Sequence, residues 1–273
     1  MSAPLDGHHA RRRFGQNFLT DAKVIGDIVA SIAPMAGDHL LEIGPGLGAL
    51  TRPLLAGPAH LTAIEIDRDL ASRLAREFAT APHFSLVQAD ALSISFASLR
   101  KPGDRLRLVG NLPYNITTPL LLHALAQLDA LQDLHVMVQR EVALRLAAPP
   151  GNSDYGRLGI ACQAACEVEC LLEVPPESFE PAPRVFSSVV RLQPRVDRPS
   201  PALLRRLGEI TQIAFSQRRK MIRQTLGKHF SPAQLSGLDV PGTARPEEIP
   251  VATYVALAAL SAQDRSERDQ AAR

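Results

Sequence analysis

The sequence has no tryptophan, only three cysteines, and just 4% aromatic residues in 273. Three cysteines in a chain this long make no disulfide framework, which points to a reducing compartment. No uncharged apolar run reaches the ~18 residues of a membrane-crossing helix; the longest, from Ile249 to Gln263, contains Pro250. The lead through His8, His9, Arg11, Arg12 and Arg13 is followed by no apolar stretch, so it does not read as a secretory leader. With 17 glycines and 22 prolines the chain is far from low complexity. A cytoplasmic protein with no membrane contact is expected, and nothing calls for an obligate dimer, so a monomer is expected too. What is present is ordinary globular material, 45% hydrophobic and 21% charged. At roughly 150 residues per domain, the length suggests two domains.

Net charge is only +2, but it is unevenly placed. Between Arg184 and Lys228 eleven Lys and Arg face two acids, Asp197 and Glu209, a local +9 that leaves about −7 for the rest. A basic segment on a mildly acidic body fits either a polyanion-binding surface or a solvated arginine-rich helix face.

Short apolar runs at 38–43, 61–65, 84–88, 106–110 and 134–138 read as strands separated by helical spacings. Leu70, Leu74 and Phe78 recur every four residues behind Asp67, a capping residue. This alternation predicts an α/β fold with a doubly wound parallel sheet. Runs at 168–174 and 188–192 have no helix between them and predict an antiparallel pair at the sheet edge. Gln193 to Pro201 holds three prolines and reads as a linker. Beyond it Leu203, Leu207, Ile210 and Ala214 trace a helical face and 221–226 starts a further helix, so a small all-helical domain is expected. The polar residues from Ser261 on are expected to fray.

Glu42-Ile-Gly44-Pro-Gly46-Leu-Gly48 joins the first strand to its helix, where glycines allow a sharp turn and close ligand approach. Its G-x-G-x-G spacing differs from the G-x-G-x-x-G of dinucleotide sites, which weakens an NAD reading. Glu65 ends the next strand, where a carboxylate can accept both hydroxyls of a ribose. Asp90 ends the third, within reach of an adenine amino group. A glycine turn with acids after two successive strands resembles the layout of S-adenosylmethionine-dependent methyltransferases.

Asn111-Leu112-Pro113-Tyr114 follows the fourth strand. The amino group of a purine is a poor nucleophile, because its lone pair is delocalised into the ring. Hydrogen bonds from its two N–H groups to the Asn111 side-chain oxygen and the Leu112 carbonyl favour a tetrahedral nitrogen. Pro113 fixes the backbone there without a competing N–H, and Tyr114 supplies a stacking face for an extruded base. The plainer alternative is a strand-end turn with a core tyrosine.

Across nearly its whole length the chain resembles the bacterial small-subunit (16S) rRNA dimethyladenosine transferases. The resemblance lies in 13–19 (Arg-Phe-Gly-Gln-Asn-Phe-Leu), 41–48, 109–115, 138–142, 155–158, 179–183 (Phe-Glu-Pro-Ala-Pro), 215–220 (Phe-Ser-Gln-Arg-Arg-Lys), 245–248 and 254–257. It implies a Rossmann-like methyltransferase domain over 1–196 and a helical RNA-binding domain over 197–273. It further implies S-adenosyl-L-methionine as cofactor and dimethylation at N6 of two adjacent adenosines near the 3′ end of 16S rRNA in the immature small subunit. Carried over by residue, Asn17 and Leu19 close over the cofactor, Gly44 and Gly46 hold its methionine end, Glu65 its ribose and Asp90 its adenine. Asn111 also lines the cofactor site, and Phe179 sandwiches the target adenine against Tyr114. Arg11, Arg12, Arg13, Arg218, Arg219, Lys220 and Arg223 become candidates for neutralising rRNA phosphates, contacts that position the RNA without specifying it. The chain departs from the family at Gly159, where a serine is common, and at Phe186, where an acid is common.

Two related activities come into question, the first of which shares such a pocket. A large-subunit rRNA adenine methyltransferase is the nearer, disfavoured by the matches at 215–220 and 245–248; a DNA adenine methyltransferase would carry a more acidic tetrapeptide. A ribosome-assembly checkpoint is the non-enzymatic alternative. Cys162, Cys166 and Cys170 match no metal-binding spacing and read as small hydrophobes, so no metal is expected.

Overall fold

A computed structural model describes residues 16–100 and 103–271. The elements are β1 (Phe18–Leu19), α1 (Ala22–Ile32), β2 (His39–Ile43), α2 (Thr51–Leu55), β3 (His60–Glu65), α3 (Arg68–Glu77), β4 (Phe84–Gln88), β5 (Leu106–Asn111), α4 (Thr117–Leu125), β6 (Leu131–Gln139), α5 (Arg140–Ala147), α6 (Arg157–Ala165), β7 (Cys166–Val174), β8 (Phe179–Glu180), β9 (Ser187–Pro194), α7 (Pro201–Phe215), α8 (Ile222–Thr225), α9 (Pro232–Ser236) and α10 (Val251–Ala271).

Seven strands form one sheet in the order β4-β3-β2-β5-β6-β9-β7. The first five are parallel to their neighbours, and β9 runs antiparallel to β6. Strand order reverses between β2 and β5, the point where a crevice opens at the carboxyl edge of an α/β sheet. Apolar strands fill the interior: Leu40, Leu41, Leu61, Ala63 and Val109 are all but inaccessible. α1, which carries no strong sequence signal, is held at both ends. The Asp21 carboxylate accepts the N–H groups of Lys23 and Val24, and Ala33 ends the helix at φ 46°. Asp67 caps α3 as its sequence predicts.

Contacts divide the chain into two compact units. One comprises the residues up to Ala143 with Glu169–Pro194; the other comprises Leu144–Val168 and the chain from Arg195 on. This differs from a single cut after residue 196, because α6 packs with the C-terminal helices. Ile160 and Ala164 share a core with Leu207, Ile210, Tyr254 and Leu257. The hydroxyls of Tyr155 and Tyr254, both buried, donate to the carbonyls of Ile249 and Pro246 at 2.8 Å each. Such helix periodicity shows an apolar face but not the partner that covers it. The last helix also runs through the polar stretch from Ser261 that was expected to fray; Ala, Gln, Arg and Glu there are strong helix formers. No described helix is long and apolar enough to cross a membrane.

Candidate active site

The turn after β2 passes through positive φ at Gly44 (67°), Gly46 (60°) and Gly48 (82°). The Gly44 N–H donates to the Ile64 carbonyl at 2.9 Å, locking the turn to β3. At φ 60° a side chain at Gly46 would be strained, and its Cβ would stand 3.2 Å from the Phe18 ring, which would have to give way, so glycine suits the turn that Phe18 closes over. Phe18 packs there with Leu47 and Leu70.

Around this turn lies a cavity of about 310 Å³. Asn17, Leu19, Gly44, Gly46, Glu65, Asp90, Asn111, Leu112, Pro113 and Tyr114 all line it, so ten of the expected site residues converge on one space. Glu65 is buried; its two carboxylate oxygens accept the Gly46 N–H at 3.1 Å and the Asp67 N–H at 2.8 Å. Burial nevertheless holds its carboxyl above the usual glutamate value. Asp90 is exposed at the rim and accepts the Leu92 N–H at 2.9 Å. Ile66, 48% exposed, adds an apolar wall between the two acids. Two acids on adjacent strand ends, an apolar wall and a glycine turn fit a nucleoside that carries an amino-acid tail.

Sequence reasoning did not single out Glu42, although it also lines the cavity. It is almost completely buried, and Thr51 Oγ1 donates to its Oε2 at 2.7 Å. Burial, reinforced by the charge of Glu65, pushes its carboxyl up to about 7. The available signal was an acid inside an otherwise apolar strand, Leu-Leu-Glu-Ile.

At the end of β5, Gly110 has φ 155°, and a Cβ there would stand 2.6 Å from the Ile43 carbonyl oxygen. The glycine lets β5 press against β2 just before Asn111. The Asn111 Nδ2 donates to the Asn17 carbonyl at 3.0 Å. That bond uses the donor side of the amide and turns the acceptor oxygen the other way. Tyr114 is half-buried, and its hydroxyl lies 2.7 Å from Ser187 Oγ. Burial raises its phenol above the usual tyrosine value, so the ring is neutral. Ser187 had no sequence signal: it approaches from β9, 73 residues away.

Phe179 is the exception among the expected site residues. It is 4% exposed, does not line the cavity, and packs in the core with Leu19, Val174 and Val189. β8 pairs with β1 through Phe179 and Leu19, and Leu19 lines the cavity, so the ring packs against a cavity-wall residue.

Arg11, Arg12 and Arg13 lie outside the described residues. Arg218, Arg219, Lys220 and Arg223 are exposed. Arg218 also donates to the carbonyls of Ser153 and Tyr155, which anchors the loop before α6. Cys162 and Cys166 are buried, whereas Cys170 is exposed. Burial pushes the Cys166 thiol up to about 12.

The family model for ribosomal RNA adenine dimethylases matches residues 7–263. The ribosomal RNA small subunit methyltransferase A of Bordetella petrii is 51% identical over 251 residues, 92% of this chain and 94% of the relative. Among solved structures, a dimethyladenosine transferase from Plasmodium falciparum aligns with TM-score 0.71 at 23% identity, over 87% of this chain and 94% of that one. The 23S rRNA methyltransferase ErmE aligns with TM-score 0.68 at 27% identity, over 89% and 98%. The α/β sheet, the glycine turn with its two acids and the Asn-Leu-Pro-Tyr strand end thus stand in a chain that belongs to the ribosomal RNA adenine dimethylases, methyltransferases dependent on S-adenosyl-L-methionine.

Proposed function

We propose that this protein dimethylates N6 of two adjacent adenosines near the 3′ end of 16S rRNA, in the immature small subunit, as a step of subunit biogenesis, and that it acts as a monomer in the cytoplasm. The observation that carries this reading is the orientation of Asn111 in a cavity it shares with Glu65 and Asp90. When bound, S-adenosyl-L-methionine supplies a methyl group already activated on sulfonium. Gly44 and Gly46 receive its methionine end, Glu65 the ribose hydroxyls and Asp90 the adenine, with Asn17 and Leu19 closing over it. The Asn111 side-chain oxygen and the Leu112 carbonyl accept the two N–H groups of the target amine and aim its lone pair at the methyl. Pro113 keeps that carbonyl fixed, and Tyr114 stacks on the target base. Orientation supplies much of the acceleration, since the donor is intrinsically reactive. The amine loses its extra proton to water once the methyl is attached.

Arg218, Arg219, Lys220 and Arg223, with Arg11, Arg12 and Arg13, neutralise rRNA phosphates. Binding therefore weakens steeply with salt, log K falling linearly in log salt; an affinity unchanged across the titration excludes this role. The decisive experiment transfers labelled methyl to unmodified small and large subunits in parallel and identifies the nucleoside by mass spectrometry. Dimethyladenosine in small subunits alone is expected. Label in large subunits instead assigns the chain to the chemistry that the name of ErmE describes.

A further inference from the structure

Sheet pairing sets three strand ends side by side at the carboxyl edge. Asn111 of β5 pairs with Met137 of β6, and Gln139 of β6 pairs with Ser187 of β9. Beyond that edge stand Val185 and Phe186, 44% and 43% exposed, beside the exposed Arg184. Arg140 adjoins them, since its backbone N–H donates to the Phe186 carbonyl at 2.9 Å. Phe186 is the one exposed Phe or Tyr ring among the described residues; the others are buried or half-buried. An aromatic ring left 43% exposed keeps apolar surface in water that a partner could cover, which makes this one a candidate for an intermolecular contact.

We propose that Phe186 is a stacking platform for a nucleotide flanking the target adenosine, with Arg184 and Arg140 facing the adjoining phosphates. The proposal rests on the reading of the cavity as an rRNA adenine site. Three observations select RNA as the occupant. The next residue, Ser187, holds the Tyr114 hydroxyl at 2.7 Å, so one short stretch of backbone links the platform to the ring at the cavity. The strand order β5-β6-β9 continues from the acceptor position to Phe186 along a single edge. Arg184, exposed two residues before the ring, and Arg140, joined to Phe186 through its backbone N–H, are cationic, although the Arg140 guanidinium is paired with Glu173 at 3.0 Å. Stacking is tolerant of base identity, so the platform adds affinity and register and leaves specificity to other contacts.

The chain has no tryptophan, so F186W places a single indole reporter at the platform. The test titrates F186W, loaded with S-adenosylhomocysteine, with unmethylated small subunits. Strong quenching of the indole emission is expected. F186A is expected to raise KM for small subunits about ten-fold, with kcat and S-adenosylhomocysteine affinity unchanged, and F186W to keep the wild-type KM. A blue shift without quenching overturns the proposal and gives the patch to a ribosomal protein. An F186A KM within about two-fold of wild type also overturns it. Quenching requires no turnover: if wild-type protein yields no dimethyladenosine while F186W is still quenched, the adenine reading fails and the RNA platform stands.

Discussion

At the amino end of β5, Arg107 is enclosed by partners that leave it nothing further to bind. Its guanidinium meets both oxygens of Asp133 at 3.1 Å, Asp38 at 2.7 Å, and the Ile32 carbonyl at 2.7 Å. At the carboxyl end of the same strand, Asn111 has its donor engaged and its acceptor side turned away from that bond. β2 repeats the contrast, with Asp38 in the closed network before it and Glu42 on the cavity wall near its end. Similar polar groups therefore do different work at the two edges. The closed network ties α1 to the sheet and contributes stability. The open edge holds groups in place for a ligand.

Breaking the closed edge should give the largest effect. Arg107→Ala leaves the buried Asp133 and the half-buried Asp38 carboxylates without their cation and should cost about 3 kcal/mol of stability, read as a lower denaturation midpoint. The folded fraction should keep its KM and kcat; a selective loss of kcat would contradict the division between the edges.

Asn111→Ala reverses the pattern. Its midpoint should match wild type while kcat falls about a hundred-fold, the scale of losing one hydrogen-bonding group aimed at a reacting atom. Near-normal turnover would remove Asn111 from the mechanism.

Glu42 sharpens the contrast through pH. Its carboxyl lies at about 7 in the fold against an ordinary 4.5, so the folded state keeps a proton that the unfolded chain releases. Stability should therefore fall as pH rises from about 4.5 through 7, by up to about 3 kcal/mol, and stay level above. Glu42→Gln should abolish this component, so its midpoint gains on wild type as pH rises. A constant difference between the two from pH 5 to 8 would refute the assignment.

The smallest effect is expected at Ser187. Ser187→Ala frees the Tyr114 hydroxyl and should lower kcat/KM for small subunits about five-fold, the worth of one neutral hydrogen bond. Cofactor affinity should hold, and Ser187→Thr should restore the rate. Failure of threonine to rescue would mean that Ser187 serves packing alone.

Much of this was legible in the residues. The glycine turn, Glu65, Asp90 and Asn111-Leu-Pro-Tyr114 were readable because each sits where a short apolar strand stops, and strand ends are marked by local composition. The seven strands of the main sheet were found within a few residues for the same reason, whereas the two-residue strands β1 and β8 carry no such run. The Phe179 motif marks a loop in the sequence, and the pairing of β8 with β1 sets its ring in the core with Leu19 and Val189. Glu42 went unnoticed because an acid in a buried strand looks like any other charged residue until its burial is known.

The sequence by itself determined the order of elements, the residue types at each strand end and the family. All of these are encoded in periodicity and short spacings along the chain. Only the tertiary structure decided that residues 144–168 join the C-terminal helices, that Ser187 reaches Tyr114, and that Asn17 orients the Asn111 amide. Each depends on segments far apart in sequence meeting through shared apolar surface, and no local pattern records which surface will cover which.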